Sequence, residues 1–194
     1  MLHIITPLYR FQNLEKVYNS IFMDDDIKWH ISKSNRREDI GFDFIKNDKR
    51  IILYDLDIED NEIGKKRGEV LKNIKDGYFC LLDDDTIFHE NMYFKYKECL
   101  ESNFKGMIIG QQIDWDGKLR LIASPPKQGK IDTGNVLSHS SCLETCEWPT
   151  IPWTCNDFLF WDSVYDYYGK KCGIWNQPIS YYNQISKKRI KYLK

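Results

Sequence analysis

The sequence predicts an α/β domain: a central, mostly parallel sheet flanked by helices, with a short antiparallel excursion in its second half. Three observations carry that reading. Short apolar runs alternate with helix-period patterns through the first hundred residues, an Asp-Gly pair separates two apolar runs at 116–117, and 194 residues that are 42% hydrophobic suffice for the core of one domain.

In chain order, LHIIT (2–6) reads as a buried strand, and NLEKVYNSIF (13–22) places Leu14, Val17, Tyr18, Ile21 and Phe22 on one helical face. IKWHISK (27–33) and RIILYDL (50–56) are the second and third strands. DNEIGKKRGEVLKNIKDG (60–77) carries Ile63, Val70, Leu71 and Ile74 at helical spacing, with Asp60 or Asn61 as cap and Gly77 as stop, and YFCLL (78–82) follows as a continuous apolar strand. Strand and helix in alternation imply parallel strands covered on both faces. HENMYFKYKECLES after residue 88 is a helix, and GMIIGQQIDWDGKLRLIAS (106–124) a two-residue hairpin on Asp116-Gly117. SPPKQGK is a loop, IDTGNVLSH (131–139) a short strand or turn, and NDFLFWDSVYDYYG (156–169) a helix capped by Asn156 and stopped by Gly169. The basic tail KKRIKYLK reads as a solvated terminus.

Lys and Arg total 28 against 29 Asp and Glu, so no global field favours nucleic acid or an anionic membrane. No apolar run approaches the roughly 20 residues of a membrane span, and the first residues lack a signal-peptide pattern. The expectation is a soluble, cytoplasmic protein. A single Ala beside abundant Lys, Ile and Asn hints at an AT-rich genome, of a virus or a low-GC microbe. Six scattered cysteines read as reduced thiols, several packed as small apolar groups. The alternative, a zinc site from His139, Cys142, Cys146 and Cys155, has irregular spacing and no C-x₂-C pair.

The acidic triplet Asp-Asp-Asp occurs twice, at 24–26 and 83–85. The first joins a helix to a strand, where carboxylates stay hydrated. The second leaves a buried strand at its carboxyl end, where open α/β sheets bind ligands. Three adjacent carboxylates there need a cation or hydrogen-bond donors to offset their charge; a divalent metal is the economical solution, and hard carboxylate oxygens suit Mg²⁺ or Mn²⁺.

From Ile4 to about Tyr93, the opening IITPLYR, the stretch GKKRGEVLKNIKDGYFCLLDDDTIFHENM and the Asp-x-Asp signature Asp83-Asp84-Asp85 resemble the nucleotide-binding half of a GT-A glycosyltransferase of the family 2 type. The resemblance implies one GT-A domain over 1–194, with a nucleotide-sugar half (1–93) and an acceptor half (94–194). It implies that Thr6, Pro7, Tyr9 and Ser34 line the nucleotide pocket with Arg67, Asp83, Asp84 and Asp85. Asp83 would face the ribose, and Asp85, with Asp83, would hold Mn²⁺ or Mg²⁺. The donor implied is a nucleotide-diphospho-sugar, a UDP-sugar first, and the acceptor a glycan or other hydroxyl. One departure stands out: the second strand runs into Lys33 and Ser34, with Glu38 and Asp39 only later, where the family commonly has an acidic residue that reads the base.

An inverting transfer needs a carboxylate to deprotonate the acceptor. Asp157, at a helix start after a Trp- and Pro-rich loop, is the candidate base, and that position favours its ionised form. Asp132, in an IDTG turn like that of similar enzymes, shapes the acceptor side, and Trp153, chosen over Trp148 and Trp175, is a candidate sugar-stacking ring. Two other functions compete. A nucleotidyltransferase would show an early Gly-rich phosphate loop, which TPLYRFQN lacks, and a non-catalytic carbohydrate- or nucleotide-binding module would need no base.

Overall fold

The computed structural model describes residues 1–21, 24–36, 46–150, 155–183 and 185. Strand β1 (Leu2–Pro7) is flanked by β2 (Ile27–Ser34) and β4 (Tyr78–Leu81), and β3 (Ile51–Leu56) lies outside β2, all four parallel. Helix α1 (Leu14–Ser20) connects β1 to β2, and α2 (Ile63–Leu71) connects β3 to β4. The second half adds β5 (Ile87–Phe88), α3 (Glu90–Glu101), β6 (Met107–Ile113), β7 (Leu119–Leu121), β8 (Val136–His139), α4 (Asn156–Tyr168) and β9 (Cys172–Tyr181). The strand order is β3-β2-β1-β4-β8-β6-β9-β5, with β7 paired to β6. Only β5, β7 and β8 run against the common direction, so the mostly parallel α/β sheet expected from the sequence is what forms.

Side chains alternate across each strand, and the apolar runs therefore feed two cores. Leu2, Ile4, Tyr78 and Cys80 pack with Leu14, Val17, Met92 and Tyr96 on the α1/α3 face. Ile5, Phe79 and Leu81 pack with Val70, Phe160, Trp161 and Val164 on the α2/α4 face. This double cover is why the strands read as unbroken apolar runs.

Several local expectations need correction. Helix α2 begins after Glu62 without a side-chain cap, and ends at Leu71 rather than at Gly77. Asp60 instead accepts from the buried ammonium of Lys66 at 3.3 Å. Gly77 (φ 75°) lies in the turn into β4, where a Cβ would stand 2.3 Å from the Met1 carbonyl oxygen. Cys155, not Asn156, precedes the first residue of α4, while Gly169 stops that helix as expected. The turn at Asp116-Gly117 is longer than two residues, closed by Asp114 N–H to Lys118 O (2.8 Å) and Gly117 N–H to Asp114 O (2.9 Å).

Strand β9 escaped the sequence reading, because Gly173, Asn176, Gln177 and Pro178 break its apolar alternation. It nevertheless pairs with both β6 and β5. At Gly110, on β6, a Cβ would lie 2.8 Å from three side-chain atoms of Ile179. Gly110→Ala is therefore expected to destabilise the fold by about 1–3 kcal/mol through overpacking, read from the urea midpoint.

The first acidic triplet is only partly the hydrated connection expected. Asp24 and Asp25 are exposed, but Asp26 accepts from Lys97 Nζ at 2.6 Å and from the Tyr96 hydroxyl at 3.1 Å, pinning α3 to the start of β2. All six cysteines are free, and burial pushes the Cys99, Cys142 and Cys172 thiols up to about 11. His139 accepts from the Ser141 N–H, and among the described residues no three His, Cys, Asp or Glu side chains form a metal-holding group.

Candidate active site

The second triplet leaves β4 at its carboxyl end, beside the loop that follows β1, and each aspartate takes a different job. Asp84, 2% exposed, accepts the backbone N–H groups of Tyr9 (2.7 Å) and Arg10 (2.5 Å) on one oxygen. Its other oxygen meets Arg10 Nη1 at 2.5 Å. The middle aspartate is therefore the anchor of the β1 loop. Asp84→Ala strands two backbone donors and a guanidinium, and is expected to cost about 3 kcal/mol in chemical denaturation. An unchanged midpoint would refute the anchoring role.

Asp83 is bound by Arg67 Nη2 and, at 3.4 Å, by the Thr133 hydroxyl. Arg67 reaches the other way to Asp157, 90 residues further along the chain, Nη1 to Oδ1 at 3.3 Å, so one buried guanidinium joins the two aspartates. The local sequence explains its pose. Gly64 and Gly68 line one side of α2, where added Cβ atoms would stand 3.0 Å and 3.4 Å from Trp148, so the indole packs closely against the helix. Arg67 lies over that indole, 5.2 Å from the ring centroid.

A third arginine closes the far wall. Arg120 binds Asp132 and the Gln112 side-chain oxygen, and stacks on Tyr182 at 3.5 Å. Asp132 in turn caps the short helical turn 133–135, accepting from the Thr133 N–H while Asn135 receives the Asp132 N–H at 2.9 Å. Its position is thereby rigid.

Two clefts meet along this cluster. One, of about 320 Å³, is lined by Pro7, Arg10, the triplet and Tyr182. The other, of about 420 Å³, is lined by Asp83, Arg120, Asp132, Asp157 and Tyr182. Asp83 and Tyr182 belong to both. A larger groove of about 550 Å³ runs on the far side of α2 against Leu143 and Trp148. Its Lys65–Glu62 and Lys72–Glu69 pairs neutralise one another, so size is outweighed there by chemistry.

Burial pushes the Asp85 carboxyl up to about 6, with Asp83 and Asp84 adding to the rise against the pull of Arg10. Asp83 is raised by burial against Arg67. Asp157 is pushed up to about 6 by burial, opposed by Arg67 and Arg120 and assisted by Asp83 and Asp132. Burial thus outweighs the helix start and lifts the Asp157 carboxyl above its ordinary value, although not far enough to protonate it at neutral pH. Five carboxylates (Asp83, Asp84, Asp85, Asp132 and Asp157) face three guanidiniums (Arg10, Arg67 and Arg120), a surplus of two negative charges when all are ionised. That surplus leaves charge for a divalent cation to offset, although among the described residues no three His, Cys, Asp or Glu side chains are grouped to hold one, so its protein ligands would be few. Among the described residues Asp85 is the triplet member with the fewest side-chain partners, Arg10 Nη1 at 3.1 Å being its one ion pair there, whereas Asp83 and Asp84 are occupied.

No family model and no curated protein matches the chain. Solved structures do. S. aureus TarS 1-349 superposes with a TM-score of 0.76 at 12% identity, over 93% of this chain and 59% of that one. The same protein in complex with UDP gives 0.74 at 11% identity, over 93% and 59%. In complex with UDP-GlcNAc it gives 0.73 at 11% identity, over 93% and 57%. The fold is GT-A-like. This chain spans a little under three fifths of those structures, and at such identities the likeness speaks for the fold alone.

Within the GT-A-like fold, Pro7, Asp83, Asp84 and Asp85 share the first cleft. Tyr9 is 42% exposed beside it, held by its N–H on Asp84. Thr6 sits elsewhere: it is fully buried, and its hydroxyl accepts from Trp29 Nε1 at 2.9 Å in the α1/α3 core. Ser34 is buried at the end of β2, accepting from the Arg36 N–H at 3.3 Å. Lys33 beside it is also buried and pairs with Asp55 at 2.9 Å. Asp132 and Asp157 share the second cleft. Trp148 packs under Arg67 and against Phe160 and lines the groove beyond α2, not either of the two clefts. Trp153, Glu38, Asp39 and the basic tail lie outside the described residues. Arg10, Arg120 and Tyr182 were missed by sequence reasoning. Arg10 immediately follows the TPLY stretch already singled out, but nothing local marks its partner 74 residues away.

Proposed function

We propose that the protein is a metal-dependent glycosyltransferase that moves a sugar from a nucleotide-diphospho-sugar, a UDP-sugar first among candidates, to an acceptor hydroxyl with inversion. The observation that carries the reading is the Arg67 bridge from Asp83, shared by both clefts, to Asp157 in the second. In this reading a candidate donor contact and a candidate base share one buried cation. The structures of S. aureus TarS in complex with UDP and with UDP-GlcNAc support the donor class.

The donor occupies the first cleft, residues 1–93 forming its half and residues 94–194 the acceptor half. Asp83 contacts the nucleotide, and Asp85 would hold Mn²⁺ or Mg²⁺. When bound, that ion supplies Lewis-acid charge for the leaving diphosphate. Asp157 accepts the proton of the acceptor hydroxyl in the second cleft, where a carboxyl titrating near 6 is ionised at neutral pH yet basic enough to act. Asp132 holds Arg120 and thereby the acceptor wall.

The test is incubation with Mn²⁺ and a panel of nucleotide sugars, with and without hydroxyl acceptors, scoring released nucleoside diphosphate. Release with one donor class, increased by acceptor, is expected. No release from any donor would leave only a binding module.

A further inference from the structure

We propose that Arg10 is the built-in counter-cation of the acidic triplet, and that its guanidinium gives up Asp85 to the metal and takes up the donor's phosphate oxygens. This rests on the function proposed above and assigns Arg10 as a donor-binding residue within it. The contact at issue is Arg10 Nη1, which lies 3.1 Å from Asp85 Oδ2 and 2.5 Å from Asp84 Oδ1. The guanidinium thus stands where an arriving cation must bind Asp85. Two positive charges sharing one carboxylate repel, so a metal on Asp85 weakens the Arg10 contact.

A purely structural role for the side chain is redundant. The loop after β1 is already fixed by the Tyr9 and Arg10 N–H groups on Asp84 Oδ2, at 2.7 and 2.5 Å, which need no arginine side chain. The guanidinium is also the accessible member of the pair: its side chain is 34% exposed, against 7% for Asp85. Among the described residues no hydrogen bond engages its Nε or Nη2. A planar fork with free donors, lining the cleft that would hold a diphosphate, is suited to bidentate phosphate recognition. Asp84 Oδ1 remains as the pivot when Asp85 is released.

The proposal predicts opposite signs for two affinities, which a structural salt bridge would not produce. By calorimetry on the nucleotide-free protein, Arg10→Gln binds Mn²⁺ at least about threefold more tightly than wild type, because a competing charge is gone. With Mn²⁺ saturating, the same variant binds UDP about tenfold more weakly, having lost a charge-assisted contact. Arg10→Lys keeps the charge but not the fork, so Mn²⁺ affinity stays at the wild-type value while UDP weakens at least about threefold. Should the Gln variant not fold, the Lys variant decides: unchanged UDP affinity, or altered Mn²⁺ affinity, overturns the proposal. If wild type binds both ligands and Arg10→Gln moves neither affinity, or both in one direction, this inference fails and the transferase reading stands. Wild type that binds neither Mn²⁺ nor UDP overturns both.

Discussion

Asp157→Asn is expected to lower kcat for sugar transfer by about two to four orders of magnitude, the range that a positioned general base supplies. UDP affinity should stay within about twofold, because Asp157 lines the second cleft and not the first. The amide preserves shape and still accepts from Arg67, which already holds the carboxylate at 3.3 Å, so the loss would be chemical rather than architectural. The pH dependence offers an independent check. The Asp157 carboxyl lies at about 6, above its ordinary value, since burial and the charges of Asp83 and Asp132 prevail over Arg67 and Arg120. A base works only when ionised, so kcat/KM should climb with pH through about 6 and level off above. The Asn variant should lose that limb. A variant that transfers at the wild-type rate would return Asp157 to the role of a first-turn helix carboxylate.

Asp85→Asn should act on binding. At Mn²⁺ concentrations about 100-fold above its dissociation constant, linkage stabilises the wild type by about 2.7 kcal/mol, and this increment should vanish in the variant. Thermal melts with and without Mn²⁺ measure it without any turnover. UDP binding should lose its Mn²⁺ dependence in the same variant. Asp83→Asn is a useful contrast. Its carboxylate is engaged by Arg67 and Thr133, so the Mn²⁺ increment should largely survive while nucleotide affinity falls. Equal loss of the increment in both variants would mean that the two aspartates share the ion.

What the sequence could carry was whatever is written over short distances. The apolar runs of β1, β2 and β4 announced a doubly covered sheet, because a strand buried on both faces has no polar register to keep, whereas the edge strand β3 is half-exposed. The triplet after β4 could be told from that at 24–26 by its flanks alone. Even so, Asp26 proved to tie down α3 through Lys97 and Tyr96, partners some 70 residues further on. β9 was illegible for a related reason: its strand character comes from pairing with β6 and β5, not from its own alternation.

The sequence by itself determined the α/β class, the carboxyl-end position of Asp83, Asp84 and Asp85, and Asp157 at a helix start, since each follows from local periodicity and adjacency. Only the tertiary structure decided how the triplet divides its work. It made Asp84 the loop anchor, joined Asp83 through Arg67 to Asp157, and left Asp85 facing Arg10. It also turned Thr6 into the core and set Arg120 on Tyr182. These outcomes depend on which buried charge meets which counter-charge, and charges 74 or 90 residues apart are brought together by packing that no local pattern encodes.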